Sequence, residues 1–108
     1  MLKEIIEKCN SLEVCEKRVS TDDYYEAVFY TKDTAELEKK LSEIFGDPVK
    51  PPKTKLTSTD AHLVDSYGGV RAGQTLFRKK IGDNTTIVIL WPWQDGVHTT
   101  LKAALAGR

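Results

Sequence analysis

Two tryptophans lie on either side of a proline, in Trp91-Pro92-Trp93, and two polar residues, Gln94 and Asp95, follow at once. Indole rings offer flat apolar contact, while an amide and a carboxylate can fix the orientation of a bound molecule. This combination is typical of small-molecule sites. We therefore expect a ligand pocket at this segment.

A glycine-rich stretch over 68–73, GGVRAG, is the second candidate for recognition. Its glycines allow backbone amides to turn toward an anion, and Arg71 can donate paired hydrogen bonds to a carboxylate or phosphate. The spacing matches neither the P-loop nor the dinucleotide fingerprint. The alternative is a helix end in which Arg71 pairs with a surface carboxylate. The pocket hypothesis joins this stretch, through Gly69 and Arg71, to the tryptophan segment and predicts a small anionic ligand.

The two histidines suggest a different chemistry. His62 lies between Asp60 and Asp65, and His98 follows Asp95 by three residues. Imidazole and carboxylate are suitable ligands for zinc, so His62, His98 and Asp95 form an alternative metal or acid–base site. The spacings match no helical metal motif, and the aspartates also suit helix caps. A small metal-assisted or acid–base enzyme therefore ranks second to a binding module, and no cofactor is predicted.

Binding of single-stranded nucleic acid ranks third. It would combine basic side chains with exposed aromatic rings for base stacking. The basic candidates are Lys50, Lys53, Lys55, Arg71, Arg78, Lys79 and Lys80, and the aromatic ones are Tyr24, Tyr30 and Trp93. Such proteins usually carry an excess of positive charge, whereas the net charge of this chain is zero. We therefore expect no nucleic-acid partner.

Composition indicates one ordinary domain. The chain has 108 residues, with 16 basic and 16 acidic side chains. Its two cysteines, Cys9 and Cys15, cannot build a disulfide framework or a Cys-x-x-Cys pair. Neither a leader nor an apolar run of about 18 residues is present. We expect a single cytoplasmic domain over 1–108 that makes no membrane contact.

Charge is divided unevenly along the chain. Residues 1–50 hold 8 basic and 12 acidic side chains, whereas residues 51–108 hold 8 and 4. Such asymmetry can mark a basic binding face, or two halves or subunits that attract each other. Together with the aromatic content and a proline-rich segment, it predicts a homo-oligomer, a homodimer above all. Complete coverage of the sheet by helices is the alternative.

A sheet must position these residues. The apolar run 87–91 predicts a central strand covered on both faces, and Pro92 ends it because proline has no amide hydrogen for the ladder. Further strands are predicted over 24–30 and over 74–81, the latter joined to the central strand by a turn at 82–84. Residues 12–19 fit either a strand or a continuation of the first helix.

Apolar residues at helical spacing predict four helices, over 2–9, 34–45, 61–67 and 97–105. The expected caps are Asp33 or Thr34 for the second helix, one of Ser58, Thr59 and Asp60 for the third, and Asp95 for the fourth. Gly46 and Gly68 suit the ends of the second and third helices.

The segment 47–59, DPVKPPKTKLTST, is predicted as a Pro/Lys-rich loop that is functional, reaches a partner or is disordered. The order of the elements predicts an α+β fold. We expect a mostly antiparallel sheet of about four strands with helices packed on it as a two-layer sandwich.

Overall fold

Five antiparallel strands and three α-helices form the described part of this protein. The computed structural model describes residues 2–51, 54–55, 57–71, 73–81 and 84–106. The helices are α1 (Leu2–Asn10), α2 (Thr34–Phe45) and α3 (Ser58–Val64), and the strands are β1 (Val14–Ser20), β2 (Tyr24–Tyr30), β3 (Thr75–Ile81), β4 (Asn84–Pro92) and β5 (His98–Ala106). The sheet order is β1-β2-β5-β4-β3. The predicted α+β class is confirmed, and the sheet has one strand more than expected.

Helices α1 and α2 cover one face of the sheet because each carries an apolar stripe. Ile5 and Cys9 of α1 and Leu37 of α2 are buried in one cluster with Phe29 and Leu101 from the sheet. This cluster is the main core. None of the described helices has the length and apolar character needed to cross a bilayer.

Helix α3 covers the other face only in part. Its Val64 is buried against Leu76, Ile89 and Ala104, which belong to β3, β4 and β5. A single turn of 3-10 helix, Asp65–Tyr67, follows and ends at Gly68 with φ of 93°. The part of this face nearer β1 and β2 is therefore left for other contacts.

The predicted helix over 97–105 is wrong, because this segment forms β5. Leu101 and Ala103 face the core beneath α1 and α2, and Ala104 faces α3. The helix preference of alanine is less than about 1 kcal/mol per residue. Hydrogen-bonded pairing with β2 and β4 along nearly the whole strand exceeds it. Small side chains also suit a middle strand with apolar layers on both sides.

Strand β4 is an interior strand rather than the central one, and it ends at Pro92 as predicted. The middle position belongs to β5. Residues 12–19, for which two structures were open, contain most of β1, an edge strand with two bulges.

One of the predicted helix caps is found at its position. Asp33 is the N-cap residue of α2, as predicted, but its side chain forms no capping hydrogen bond. Helix α3 is capped by Thr57, whose Oγ1 accepts a hydrogen bond from the Asp60 amide at 3.2 Å. Asp95 precedes a strand and caps no helix. Gly46 and Gly68 follow the ends of their helical segments, as expected.

Part of the predicted Pro/Lys-rich loop is docked on the sheet. Lys50 forms an isolated antiparallel bridge with Leu76 and is only 2% exposed. Its Nζ donates a hydrogen bond to the Gln74 carbonyl at 2.5 Å. Residues of the predicted loops that lie outside the described part of the chain are Pro52, Lys53, Leu56, Ala72, Gly82 and Asp83.

The Tyr25 hydroxyl is buried in the main core and has no hydrogen-bond partner among the described residues. Burial raises the pKa of Tyr25 to about 12. Because a buried, unsatisfied polar group costs about 1–3 kcal/mol, we expect Tyr25→Phe to raise the free energy of unfolding by about 1 kcal/mol. Urea denaturation measures this change. Tyr25→Leu, which also removes aromatic contacts, is the control and should be destabilising; a Phe variant as unstable as the Leu variant contradicts the prediction.

Candidate functional site

A cleft of about 500 Å³ opens on the sheet face that α3 covers in part. We call it the tryptophan cleft, since both tryptophans of the chain line it. Its lining residues are Arg18, Glu26, Trp91, Pro92, Trp93, Gln94, Thr100 and Lys102. Small-molecule sites commonly enclose about 300–1,000 Å³. The size of the cleft therefore suits a small ligand.

The register of the sheet brings the polar floor of the cleft together. Glu26 of β2 lies opposite Lys102 of β5, and Thr100 lies opposite Trp91 of β4. Residues directly opposite in antiparallel strands share a face. Glu26 and Lys102 are the only Asp, Glu, Lys or Arg residues in the three interior strands. The charges in the middle of the sheet are thus concentrated at this cleft.

Lys102 is half-buried and has neutral partners. Its Nζ donates a hydrogen bond to the Tyr67 carbonyl at 3.1 Å and lies 4.1 Å from the centre of the Trp91 ring. Burial lowers the pKa of Lys102, and the nearby Glu26 carboxylate opposes this effect. Lys102 forms no ion pair within the described part of the chain. It is therefore a cation that a bound anion could stabilise.

Arg18 supplies a second cation from the edge strand β1. Its Nε lies 3.0 Å from Glu16 Oε2, and its Nη1 lies 3.5 Å from Glu26 Oε2. The hydrogen bond to Glu16 is the main cause that raises the pKa of Arg18. The guanidinium carbon also lies 5.5 Å from the centre of the Trp93 ring. Arg18 thus shares its charge with two carboxylates beside an indole.

Trp93 is held in place although 37% of its surface is exposed. Its Nε1 donates a hydrogen bond to Thr100 Oγ1 at 2.7 Å. The His98 ring packs nearby, with ring centres 4.9 Å apart. An indole fixed in this way presents apolar surface without a large ordering cost on binding.

Glu26 connects the cleft to the turn after α3. The Tyr24 hydroxyl donates a hydrogen bond to Glu26 Oε1 at 2.5 Å, and the Tyr24 ring stacks on Tyr67 with centres 5.8 Å apart. Burial is the main cause that raises the pKa of Tyr24. The same Tyr67 supplies the carbonyl that accepts from Lys102. Each charged residue of the floor is thus hydrogen-bonded to one of two tyrosines whose rings stack on each other.

Gly68 is not itself a lining residue, but it lies close to two residues that line the cleft, Trp91 and Lys102. A Cβ atom at this position would lie 3.3 Å from the Trp91 ring and 3.3 Å from Lys102 Nζ. With φ at 93°, the residue is also in the left-handed region that favours glycine. A larger residue here would therefore require Trp91 or Lys102 to shift by a few tenths of an ångström.

Three of the six predicted ligand residues line the cleft, namely Trp91, Trp93 and Gln94. Arg71 and Gly69 are not among its lining residues. The Arg71 side chain is exposed, and its backbone amide donates to Gln74 Oε1 at 2.8 Å. A Cβ at Gly69 would meet nothing within 4 Å. The expected approach of the glycine-rich stretch to the tryptophans is made by Gly68 instead.

Pro92 also lines the cleft as part of the predicted tryptophan segment, and the lining residues that the sequence analysis missed are Arg18, Glu26, Thr100 and Lys102. Glu26 carried a usable signal, because it is the only charged residue in the aromatic strand YYEAVFY. Lys102 had the same signal, a lone charge between buried neighbours, but the helix predicted there concealed it. Arg18 lies within the second irregularity of β1, between Lys17 and Val19, and had no comparable signal in the sequence.

The sixth predicted residue, Asp95, lies in the β4–β5 hairpin turn. Its Oδ1 accepts hydrogen bonds from the amides of Val97 at 2.8 Å and His98 at 3.1 Å, and its Oδ2 lies 2.6 Å from His98 Nδ1. His62 is exposed on α3, a different element. No group of three or more His, Cys, Asp or Glu residues that could hold a metal occurs in the described ranges. The structure thus joins Asp95 with His98 but assembles no three-residue metal set.

The hairpin turn should respond to acid through Asp95. Hydrogen bonds from His98 and Val97 lower the pKa of Asp95 from 3.8 to about 2. A carboxyl with a lowered folded-state pKa stabilises the folded turn above pH 3.8, and this contribution is lost as the pH falls through about 2. We expect the Val97 amide proton shift, followed by NMR, to titrate with a midpoint of about pH 2. Asp95→Asn should abolish this step; a midpoint near 3.8 in the unmodified protein contradicts the expectation.

Several residues proposed for nucleic-acid binding make contacts within the protein. Lys50 is buried, Arg78 pairs with Asp60 at 3.2 Å, and Lys79 Nζ donates to the Ile44 carbonyl at 3.1 Å. These three side chains thus have separate partners within the protein. Of the other basic candidates, Lys53 lies outside the described residues.

Comparison with known proteins supplies no relative from which a function could be taken: no protein-family model matches the chain, and neither curated proteins nor solved structures match it. Function is therefore inferred from the geometry and charge of the tryptophan cleft.

Proposed function

We propose that this protein is a small binding or accessory module whose tryptophan cleft holds a small anionic molecule. The observation that carries the proposal is the position of Lys102, a half-buried ammonium group in the middle strand that contacts a carbonyl and an indole ring. Desolvation of a cation costs free energy. A bound anion offsets that cost, because it gives the ammonium group an opposite charge in a partly dehydrated site.

The walls of the cleft support the same proposal. Trp91 and Trp93 supply apolar contact, and Arg18 places a second cation at the rim. Polar groups that are few in number and fixed by hydrogen bonds can orient a ligand within such walls. The Trp93–Thr100 hydrogen bond is one such constraint.

Tryptophan fluorescence tests the proposal directly, because the only two tryptophans of the chain both line the cleft. We expect sodium benzoate or inorganic phosphate to change the emission in a saturable way. Lys102→Met should weaken that binding about tenfold, equivalent to about 1.4 kcal/mol. Arg71→Ala, which removes an exposed cation outside the lining, is the matched control and should leave affinity unchanged. No saturable change with either anion, or equal losses in both variants, contradicts the proposal.

A second candidate function is acid–base catalysis by Asp95 and His98. The 2.6 Å contact between Asp95 Oδ2 and His98 Nδ1 orients the imidazole ring. The other ring nitrogen, Nε2, is then the atom that would exchange a proton with a substrate. The ring lies beside Trp93, at the edge of the cleft. Hydrolysis of p-nitrophenyl acetate faster than by free imidazole, and lost in His98→Gln, supports this candidate. A rate no higher than that of imidazole contradicts it.

We also propose that the protein is a homodimer. Among the described strands, β1 lies at the edge of the sheet with one row of its backbone hydrogen-bonding groups facing outward, and its Val19 is 38% exposed. Light scattering should report twice the chain mass of 12.1 kDa. The mass of a single chain at high concentration contradicts this part of the proposal.

A reducing, cytoplasmic location is the last part of the proposal. Cys9 is buried and Cys15 is exposed, and both are free thiols. Thiols persist in this form where the compartment is reducing. A fluorescent fusion found in an oxidising compartment contradicts the location.

A further inference from the structure

The two cations of the tryptophan cleft differ in how far their charge is already neutralised. Arg18 lies within 3.0 Å of Glu16 and 3.5 Å of Glu26. Lys102 contacts a neutral carbonyl and an indole ring and has no ion pair among the described residues. Among the described residues, Lys102 is therefore the cation of the cleft that forms no ion pair, although Glu26 lies opposite it in the sheet.

Flat apolar surface lies directly beside this cation. Lys102 Nζ is 4.1 Å from the centre of the Trp91 ring, and Pro92 and the partly exposed Trp93 continue the surface. Aromatic rings pack on one another in offset or edge-to-face arrangements that add about 0.5–1.5 kcal/mol beyond area burial. A ligand that uses both features carries a flat ring and an anionic group on the same small frame.

Glu26 limits the charge of that ligand. It lies opposite Lys102 in the sheet, and its Oε1 accepts from Tyr24, which fixes the carboxylate at the floor. A second negative charge on the ligand would lie near Glu26, while the other cation, Arg18, is already paired. Like charges brought together in a partly dehydrated site repel each other. A monoanion therefore fits this floor better than a phosphate dianion.

We propose that the ligands of the tryptophan cleft are flat aromatic monocarboxylates, with the carboxylate on Lys102 and the ring against Pro92 and Trp93. This inference rests on the proposed function and names the ligand class of the same site. It assigns Lys102 to anion recognition and Glu26 to the exclusion of dianions.

Isothermal titration calorimetry of the full chain tests the assignment with three probes. Indole-3-acetate carries the ring and one carboxylate, tryptamine carries the same ring and a cation, and inorganic phosphate carries charge without a ring. We expect indole-3-acetate to bind at least tenfold more tightly than either of the others. Lys102→Met should reduce its affinity about tenfold, whereas Arg71→Ala should leave it unchanged.

A second variant keeps the test decisive if Lys102→Met lowers stability. Glu26→Gln retains an acceptor for the Tyr24 hydroxyl but removes the negative charge, so it should tighten indole-3-acetate binding several-fold and phosphate binding more. Unchanged affinities in Glu26→Gln overturn the role given to Glu26. Phosphate binding as tightly as indole-3-acetate overturns the aromatic class but leaves the anion site standing. Absence of binding by every anion overturns the proposed function as well.

Discussion

Leu101→Ala is expected to lower the free energy of unfolding by about 2–5 kcal/mol. Leu101 is fully buried at the centre of β5, in the cluster that joins α1 and α2 to the sheet. Truncation there loses the transfer free energy of the side chain and leaves a cavity that flanking strands on both sides cannot close. Since the free energy of unfolding of small domains is only about 5–15 kcal/mol, this substitution removes a large share of it.

Leu105→Ala is the matched control for this prediction. Leu105 belongs to the same strand and packs against the same cluster, but it is only partly buried. Leu105→Ala should therefore lower the free energy of unfolding, measured by urea denaturation, by less than half as much as Leu101→Ala does. Equal losses at the two positions would show that β5 does not lie at the centre of the core.

Gly68→Ala and Gly69→Ala form a second pair with different expected results. Both glycines have positive φ, 93° and 75°, so an added Cβ costs about 1–2 kcal/mol at each. Only at Gly68 would that Cβ also lie 3.3 Å from the Trp91 ring and from Lys102 Nζ. We expect Gly69→Ala to lower the free energy of unfolding and to leave tryptophan emission unchanged. Gly68→Ala should lower the free energy of unfolding further and should also shift tryptophan emission.

Anion affinity separates the two glycine variants further. Because Lys102 and Trp91 must move to admit the new Cβ, Gly68→Ala should weaken benzoate binding several-fold, whereas Gly69→Ala should leave it unchanged. The two readouts, urea midpoint and fluorescence titration, use the same samples. Identical behaviour of the two variants would exclude a role for the turn after α3 in shaping the cleft.

Most elements of this fold follow from local patterns. The apolar stripes of α1 and α2 and the β-branched and aromatic content of β2 and β3 identify these elements within one or two residues of their observed bounds. Each signal lies inside the segment that it describes. The capping residue of α3 was missed by one position, because several neighbouring residues, Thr57 among them, have side chains suited to a cap.

Strand β5 could not be recognised in the same way. Its alanines favour a helix locally, and its conformation is decided by pairing with β2, whose Tyr24 lies opposite Ala104 although the two are distant in sequence. The candidate site shows the same division. Trp91 and Trp93 stand out by residue type, whereas Glu26 and Lys102 become neighbours only through the register of β2 and β5.

The position of β5 also has a consequence for folding during synthesis on the ribosome. The middle strand of the sheet is the last strand of the described chain to be synthesised, so the segments that pair as the β1–β2 and β3–β4 hairpins are synthesised before it. Isolated two-stranded hairpins are marginally stable in water. Both hairpins should therefore keep unpaired strand edges, which favour aggregation, until β5 pairs with β2 and β4 and joins them. The sheet is therefore completed by insertion of its middle strand between two hairpins, and not by addition of strands one after another at an edge.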